Sequence, residues 1–133
     1  MNERAQTDPS RGTEDDRWSK LEGEAYCYLT TVGRRTGRPH TIEIWFVLHG
    51  PTLYMLSGGG DGSDWVRNLS ETPDVSVRIG RERFSGTARL VTEPGEDRTA
   101  RDLLFAKYGA SYAGDLSAWR DGALPVAVEL APA

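Results

Sequence analysis

Three arginines fall within five positions, between two segments of strand-like composition, in a chain whose formal net charge is -4. They belong to the run Gly33-Arg34-Arg35-Thr36-Gly37-Arg38-Pro39. A planar guanidinium can hydrogen-bond two oxygens of a phosphate or carboxylate at once, and the glycines permit a tight turn. The run therefore predicts either an anion-binding loop or a solvated hairpin tip whose arginines keep a sheet edge soluble.

A second segment is rich in glycine and leads from a predicted strand into a predicted helix. It reads Ser57-Gly58-Gly59-Gly60-Asp61-Gly62-Ser63-Asp64. Successive glycines expose backbone N–H groups and a helix start adds partial positive charge, so a phosphate could bind here. The segment matches neither a Walker loop nor the dinucleotide-binding pattern. The alternative is a flexible linker in which Ser63 or Asp64 caps the helix.

Side chains for acid–base, nucleophilic or metal chemistry are sparse, and no metal site is expected. His40 and His49 lie nine residues apart in one predicted strand and so point to opposite faces. Cys27 is interpreted as a buried residue rather than a nucleophile. Trp65 and Asn68 share one face of the helix that follows the glycine segment. A flavin or deazaflavin would explain the scarcity, because such a cofactor supplies the reactive atom and the protein binds, orients and excludes water.

The elements that must position these residues are mainly strands. Hydrophobic periodicity and turn residues predict strands over 25–32, 40–49, 52–56, 74–79, 83–92 and 126–130. They predict helices over 14–21, 63–70 and about 95–108. The apolar run Trp45-Phe46-Val47-Leu48 indicates a strand buried on both faces. About six strands and two or three short helices indicate a small barrel or an α+β domain.

Length and composition limit the other possibilities. The chain of 133 residues suits one domain over 14–133, with a polar, disordered tail over 1–13. The negative net charge disfavours nucleic-acid partners, including an oligonucleotide-binding barrel. No apolar run is long enough for stable membrane insertion, and the polar start does not match a secretory signal. A cytoplasmic protein is expected by elimination, and two apolar strand faces in so short a chain would suit a homodimer.

The motifs together resemble the deazaflavin-dependent nitroreductase family, within the FMN-binding split barrels related to pyridoxamine-phosphate oxidase. The resemblance rests on Leu29 to Pro39, then Leu56 to Gly60, then Trp65-x-x-Asn68-Leu69 and Pro73. It implies a mainly β, α+β fold: a six-stranded antiparallel split β-barrel with two or three short helices.

The implied function is an oxidoreductase that transfers a hydride from a reduced cofactor to a small acceptor such as a quinone or nitro compound. The implied cofactor is an 8-hydroxy-5-deazaflavin (coenzyme F-420), with FMN as the alternative. The alternative function is a non-catalytic carrier of flavin, haem or lipid on the same barrel.

The resemblance also implies roles for particular residues. The anionic part of the cofactor is expected at Gly33, Arg34, Arg35, Thr36 and Arg38. Backbone N–H groups are expected to approach the phosphate and ring from Ser57, Gly58, Gly59 and Gly60. Trp65 and Asn68 should support the pocket, Trp45 and Met55 should lie near the ring, and Tyr108 and Tyr112 should act on the substrate side.

Three positions depart from the family pattern. Relatives often carry Lys where Arg35 stands, which keeps the charge. They often carry a polar or charged residue at Gly58, so one phosphate contact is absent here. Glu43 replaces an apolar residue or proline, and its charge would oppose an anionic cofactor. The last two favour FMN or another ligand.

Overall fold

A computed structural model of the chain describes residues 9–110, 112 and 114–132. The α-helices are α1 Pro9–Glu22, α2 Asp64–Glu71, α3 Pro94–Gly109 and α4 Ser117–Gly122. The strands are β1 Cys27–Val32, β2 Pro39–Ile44, β3 Val47–His49, β4 Thr52–Ser57, β5 Asp74–Ile79, β6 Glu82–Leu90 and β7 Leu124–Pro132. A short 3-10 helix over Gly60–Gly62 precedes α2.

Most of these elements lie where the sequence predicts them. The β3–β4 and β5–β6 turns use Gly50 and Gly80 at φ +62° and +59°, a conformation that favours glycine. Helix α1 begins at Pro9, so residues 9–13, which composition assigns to the tail, belong to the helix; residues 1–8 lie outside the described residues. Helix α4 was not predicted, because six residues are too few to show a helical period.

The prediction of one strand over 40–49 is wrong. Strand β2 ends at Ile44 and β3 begins at Val47, so Trp45 and Phe46 form a break. The two strands pair with different neighbours, β2 with β1 and β3 with β4. The described residues therefore form seven strands rather than six, and the apolar run marks a crossing between sheet edges rather than a strand buried on both faces.

This break determines the curvature of the sheet. The strand order is β2-β1-β5-β6-β7-β4-β3, with every neighbouring pair antiparallel, so β2 and β3 lie at opposite edges. The three Cα–Cα steps from Ile44 to Val47 span at most about 11 Å. The sheet must therefore curl until its two edges nearly meet, which produces a barrel that is split between β2 and β3.

Apolar side chains fill two layers, one inside the curled sheet and one outside it. Strand β4 shows the division, since Leu53 and Met55 enter the interior cluster and Tyr54 and Leu56 enter the outer one. Helix α3 covers the outer cluster with Ala100, Leu104 and Tyr108. Within the described part of the chain, none of the helices combines the length and apolar character needed to cross a bilayer.

A polar network attaches the start of α3 to the sheet. Arg89 forms two 2.7 Å hydrogen bonds with Glu96 and a third with Glu129, and the Tyr54 hydroxyl donates to Glu96 at 2.7 Å. The Arg89 guanidinium, and then the Tyr54 hydroxyl, lower the pKa of Glu96 from its ordinary value of 4.5 to about 2. The ionised carboxylate therefore stabilises the folded state.

We predict that the stabilisation of the folded state by the Glu96 carboxylate decreases as the pH falls. Because the folded pKa is depressed, the stabilisation is complete above about pH 4.5 and is lost as the pH falls toward 2. Glu96→Gln should lower the free energy of unfolding by about 1 kcal/mol at neutral pH and by less at pH 3. Urea unfolding of Glu96→Gln and of the exposed control Glu71→Gln across pH 3–7 tests this; a penalty that does not change with pH would contradict it.

Candidate functional site

The β1–β2 hairpin and the first turns of α2 enclose a cavity of about 400 Å³, here called the hairpin cavity. Its lining residues are Thr31, Gly33, Arg34, Arg35, Thr36, His40, Thr41, Ile42, Asp64, Trp65 and Asn68. Two motifs more than 25 residues apart in the chain thus meet at one place. Six of the predicted cofactor-binding residues line this cavity: Gly33, Arg34, Arg35, Thr36, Trp65 and Asn68.

The hairpin loop has a closed, hydrogen-bonded form. The Gly33 N–H donates to the Arg38 carbonyl at 2.8 Å, and the Gly37 N–H donates to the Gly33 carbonyl at 2.8 Å. Gly37 adopts φ +71°, and a Cβ on Gly33 would lie 2.6 Å from His40 Nε2. Both glycines are therefore required by geometry, one by its dihedral angle and one by the close approach of a side chain.

Arg34 joins this hairpin to α2. Its backbone N–H and its Nη1 both donate to Asn68 Oδ1, at 3.2 and 2.9 Å, and its Nη2 contacts Asp64 Oδ1 at 3.1 Å. Asn68 is 5% exposed and donates through Nδ2 to Thr31 Oγ1 at 3.2 Å. The buried amide thus finds partners on both elements, as a buried polar group requires.

Arg35 and Arg38 differ from Arg34 in their surroundings. Both are exposed, and across the described residues neither guanidinium makes a hydrogen bond or an ion pair. The three predicted anion-binding arginines therefore separate into one that holds the loop to α2 and two whose donors face solvent. Arg35 lines the hairpin cavity, whereas Arg38 lies on the loop outside the lining.

The glycine segment is an ordered turn. The buried Ser57 hydroxyl donates to the Gly60 carbonyl at 2.8 Å and lies 2.8 Å from Ser63 Oγ. Gly60 adopts φ +62°, and a Cβ on Gly59 would lie 2.6 Å from Ser63 Oγ. A Cβ on Gly58 would meet nothing within 4 Å. Residues 57–60 lead into α2 but do not line the hairpin cavity.

A second cavity, of about 480 Å³, lies beside the strand break and is here called the aromatic cavity. Its lining residues are Glu22, Gly23, Glu24, Ala25, Tyr26, Trp45, Lys107, Tyr108 and Tyr112. The Trp45 and Tyr108 rings stack with centroids 4.3 Å apart, and Tyr112 meets Trp45 edge-on at 5.8 Å. Tyr26 and Tyr112 are exposed at 45% and 49%, so the cavity has an accessible aromatic rim.

The Tyr108 hydroxyl is engaged by the backbone at the strand break. It accepts the Phe46 N–H at 2.9 Å and lies 2.9 Å from the carbonyls of Phe46 and Ala25, to which its single proton can be donated. Burial raises the pKa of this hydroxyl above its ordinary value. The structure therefore places the Tyr108 hydroxyl among backbone partners, while Tyr112 keeps an exposed side chain.

Two further predicted residues lie away from the hairpin cavity. Met55 is fully buried inside the curled sheet, because its inward position on β4 places it in the interior cluster. Trp45 lies at the break and lines the aromatic cavity instead.

Three other residues noted in the sequence are also placed by the structure. Cys27 is fully buried, and burial raises its pKa to about 12, which excludes a thiolate nucleophile at neutral pH. Glu43 lies on the strand face opposite His40 and Ile42 and accepts the Tyr28 hydroxyl at 2.8 Å. His40 and His49 lie on different strands, and among the described residues no three His, Cys, Asp or Glu side chains are arranged to hold a metal ion.

Sequence reasoning missed His40, Thr31 and Asp64 as lining residues of the hairpin cavity. The first two could have been found from register, since Thr31 pairs with His40 across the hairpin that carries the arginines. Asp64 ends the glycine-rich segment of the sequence analysis, but its contact with Arg34 spans 30 residues, and no local sequence pattern predicts such a contact.

Comparisons with known proteins give one family match. A family model described as F420H(2)-dependent quinone reductase matches residues 2–131. An F420H(2)-dependent quinone reductase of Mycobacterium tuberculosis (strain ATCC 25618 / H37Rv) is 36% identical over 76 residues, which cover 55% of this chain and 50% of that protein. The chain spans about half the length of the curated relatives that it matches.

Solved structures share the architecture. An F420-H2 dependent reductase (FDR-A) matches with a TM-score of 0.62 at 21% identity, covering 80% of this chain and 94% of that one. HutZ, the heme storage protein from Vibrio cholerae, matches with a TM-score of 0.64 at 20% identity, covering 90% and 89%. At these identities the likeness shows the fold, a curled split barrel, and confirms the mainly β, α+β class.

We predict that Tyr108 is needed for stability rather than accessible for chemistry. Tyr108→Phe should lower the free energy of unfolding by about 1–3 kcal/mol, because a buried Phe46 N–H and a carbonyl lose their partner. Tyr112→Phe, at an exposed position, should change it by less than about 0.5 kcal/mol. Urea unfolding of both variants checks this, and equal effects would contradict the structural role.

Proposed function

The chain belongs to the F420H(2)-dependent quinone reductase family, and from this membership we propose that it transfers a hydride from a reduced deazaflavin to a quinone. The observation that carries the proposal is that Arg35 and Arg38, beside the hairpin cavity, are exposed and that neither guanidinium has a partner among the described residues. In a chain of net charge -4, these donors stand on a loop that is held in place by buried hydrogen bonds.

The donor set of the hairpin fits coenzyme F-420, whose tail is anionic. Guanidiniums bind phosphate and carboxylate oxygens through charge-assisted hydrogen bonds. Arg35 and Arg38 would hold the tail, with Thr36 and Gly33 beside it and Trp65 and Asn68 supporting the wall. The glycine turn over 57–60 would offer backbone N–H groups to the phosphate and ring.

The length of β2 supports an extended ligand. The arginine hairpin precedes Pro39 at one end of the strand, and Trp45 follows Ile44 at the other. Five steps along a strand span about 17 Å. A molecule with an anionic tail and a planar ring could therefore contact the hairpin cavity with one end and approach the aromatic cavity with the other, where we place the acceptor.

When bound, the reduced deazaflavin would supply the hydride, and the protein needs no covalent intermediate. The buried Cys27 thiol, with its raised pKa of about 12, is consistent with this. Trp45 and the ring of Tyr108 would provide an apolar wall against a quinone. The Tyr112 hydroxyl at the rim is the proposed hydrogen-bond donor to the acceptor oxygen.

One argument for FMN is removed by the position of Glu43. Its carboxylate accepts the Tyr28 hydroxyl, and Glu43 is not among the residues that line the hairpin cavity. FMN remains a comparison ligand because Gly58 lacks a charged side chain. The cytoplasmic location and the homodimer remain predictions from the sequence.

We predict that Arg35 and Arg38 together determine cofactor affinity. Arg35→Ala/Arg38→Ala should weaken binding of coenzyme F-420 by about tenfold or more, since a hydrogen bond to a charged group contributes about 1.5–3 kcal/mol. The control Arg81→Ala/Arg83→Ala removes the same charge from exposed positions on the β5–β6 hairpin. Fluorescence titration with F-420 and FMN side by side provides the measurement.

The wild type and the two double variants also distinguish a quinone reductase from a non-catalytic carrier. Oxidation of reduced F-420 by menadione in the wild type supports a quinone reductase. Binding of F-420 without turnover of menadione or a nitroaromatic would indicate the non-catalytic carrier. Absence of binding, or equal losses in the two double variants, would contradict the assignment of the hairpin.

We also predict that Gly58 lies close enough to the bound anion for a charged side chain at this position to change the affinity for F-420. A Cβ at this position would meet nothing within 4 Å, so the backbone has room for a side chain and Gly58→Lys and Gly58→Glu should both fold. Gly58→Lys should tighten F-420 binding about fivefold and Gly58→Glu should weaken it similarly, as expected for partly exposed charges. Gly122→Lys and Gly122→Glu, at an equally open position on α4, are the controls. Equal effects at both positions would rule out proximity.

A further inference from the structure

The hairpin cavity already contains one negative group. Asp64 Oδ1 lies 3.1 Å from Arg34 Nη2, at the wall that Asp64 and Arg34 share. The Arg34 side chain is 14% exposed, whereas that of Asp64 is 86% exposed. The largely buried side chain of Arg34 is thus paired with a carboxylate that is mostly exposed to solvent.

We propose that Asp64 is an internal placeholder for the ligand's phosphate, displaced when an anionic ligand binds, and that it thereby sets the selectivity of the cavity. The inference rests on the proposed function, in which this cavity receives the anionic tail of the cofactor. It assigns to Asp64 a role that opposes binding, in contrast to the arginines that favour it.

The anchoring of Arg34 makes such an exchange feasible. Asn68 Oδ1 accepts both the backbone N–H and Nη1 of Arg34, and these bonds are independent of Asp64. If the Asp64 side chain rotates away, the guanidinium therefore stays in position and only Nη2 is released. A carboxylate and a phosphate oxygen compete for such a donor because both accept charge-assisted hydrogen bonds.

The exposure of Asp64 keeps the energetic cost of this rotation small. Because the exposed Asp64 carboxylate keeps most of its hydration, its pairing with Arg34 contributes little net free energy. A phosphate with a larger charge, which also reaches Arg35, can therefore replace Asp64. A ligand without an anionic group cannot, and it would meet the cavity with Asp64 still in place.

A simpler role for Asp64 makes a different prediction. As the first residue of α2, its carboxylate is favoured by the helix dipole. If that were its only role, removing the charge would slightly lower the stability of the protein and leave ligand affinity unchanged. Affinity, rather than stability, therefore separates the two interpretations.

The test compares two ligands with the same chromophore. Oxidised coenzyme F-420 carries a phosphate, and 8-hydroxy-5-deazariboflavin does not. Asp64→Asn should bind F-420 about threefold to fivefold more tightly than the wild type at low ionic strength, with the affinity for the deazariboflavin unchanged. Glu71→Gln, which removes the same charge from an exposed position at the far end of α2, should change both affinities by less than about twofold.

A second pair of variants links the effect to Arg34. In an Arg34→Gln background the gain from Asp64→Asn should disappear, because no guanidinium remains to be released. Equal gains for Asp64→Asn and Glu71→Gln, or equal gains for the two ligands, would overturn the inference and leave the proposed function standing. If neither the wild type nor Asp64→Asn binds F-420, the proposed function fails and this inference fails with it.

Discussion

Two residues, Trp45 and Phe46, join the opposite edges of a seven-stranded sheet, and this short connection imposes the curvature on which both cavities depend. A break between strands leaves backbone groups without ladder partners, and burying them unpaired would be costly. The Tyr108 hydroxyl resolves this, since it accepts one backbone N–H and lies within hydrogen-bonding distance of two carbonyls. Tyr108 on α3 thus stabilises the backbone at the strand break through its hydroxyl, and its ring stacks on Trp45.

The second constraint is a single buried amide. Asn68 receives two hydrogen bonds from Arg34 and donates one to Thr31, so the charged hairpin and α2 are held in one arrangement. Because this contact uses Arg34, the exposed donors of Arg35 and Arg38 are carried on a loop whose position is already determined. Within one loop, Arg34 therefore fixes the position of the backbone, while Arg35 and Arg38 present their guanidiniums to solvent.

In the proposed function, the two cavities would divide the chemistry of the reaction. The hairpin cavity has Arg34 and Arg35 in its lining, while the aromatic cavity has stacked rings and an exposed tyrosine rim. They lie toward opposite ends of β2, so recognition of a charged tail and of an apolar acceptor need not conflict. The Asp64 carboxylate, which we infer is displaced by an anionic ligand, would add selectivity at the hairpin cavity alone.

Local patterns determined much of this protein. Alternation in β1 and β5, the Gly50 and Gly80 turns, the arginine hairpin and the Trp65-x-x-Asn68 helix follow from short-range preferences, and their ordered resemblance to a known family fixed the architecture. Only the tertiary structure decided that residues 40–49 form two strands, because a crossing between sheet edges and a doubly buried strand have the same apolar composition. It also decided that Met55 faces the interior, that the Tyr108 hydroxyl hydrogen-bonds to the backbone, and that, within the part of the chain that the structure describes, Arg34 has partners while Arg35 and Arg38 have none. The positions of Arg34 and Tyr108 depend on contacts across 30 or more residues, and such pairings leave no periodic trace in a single sequence.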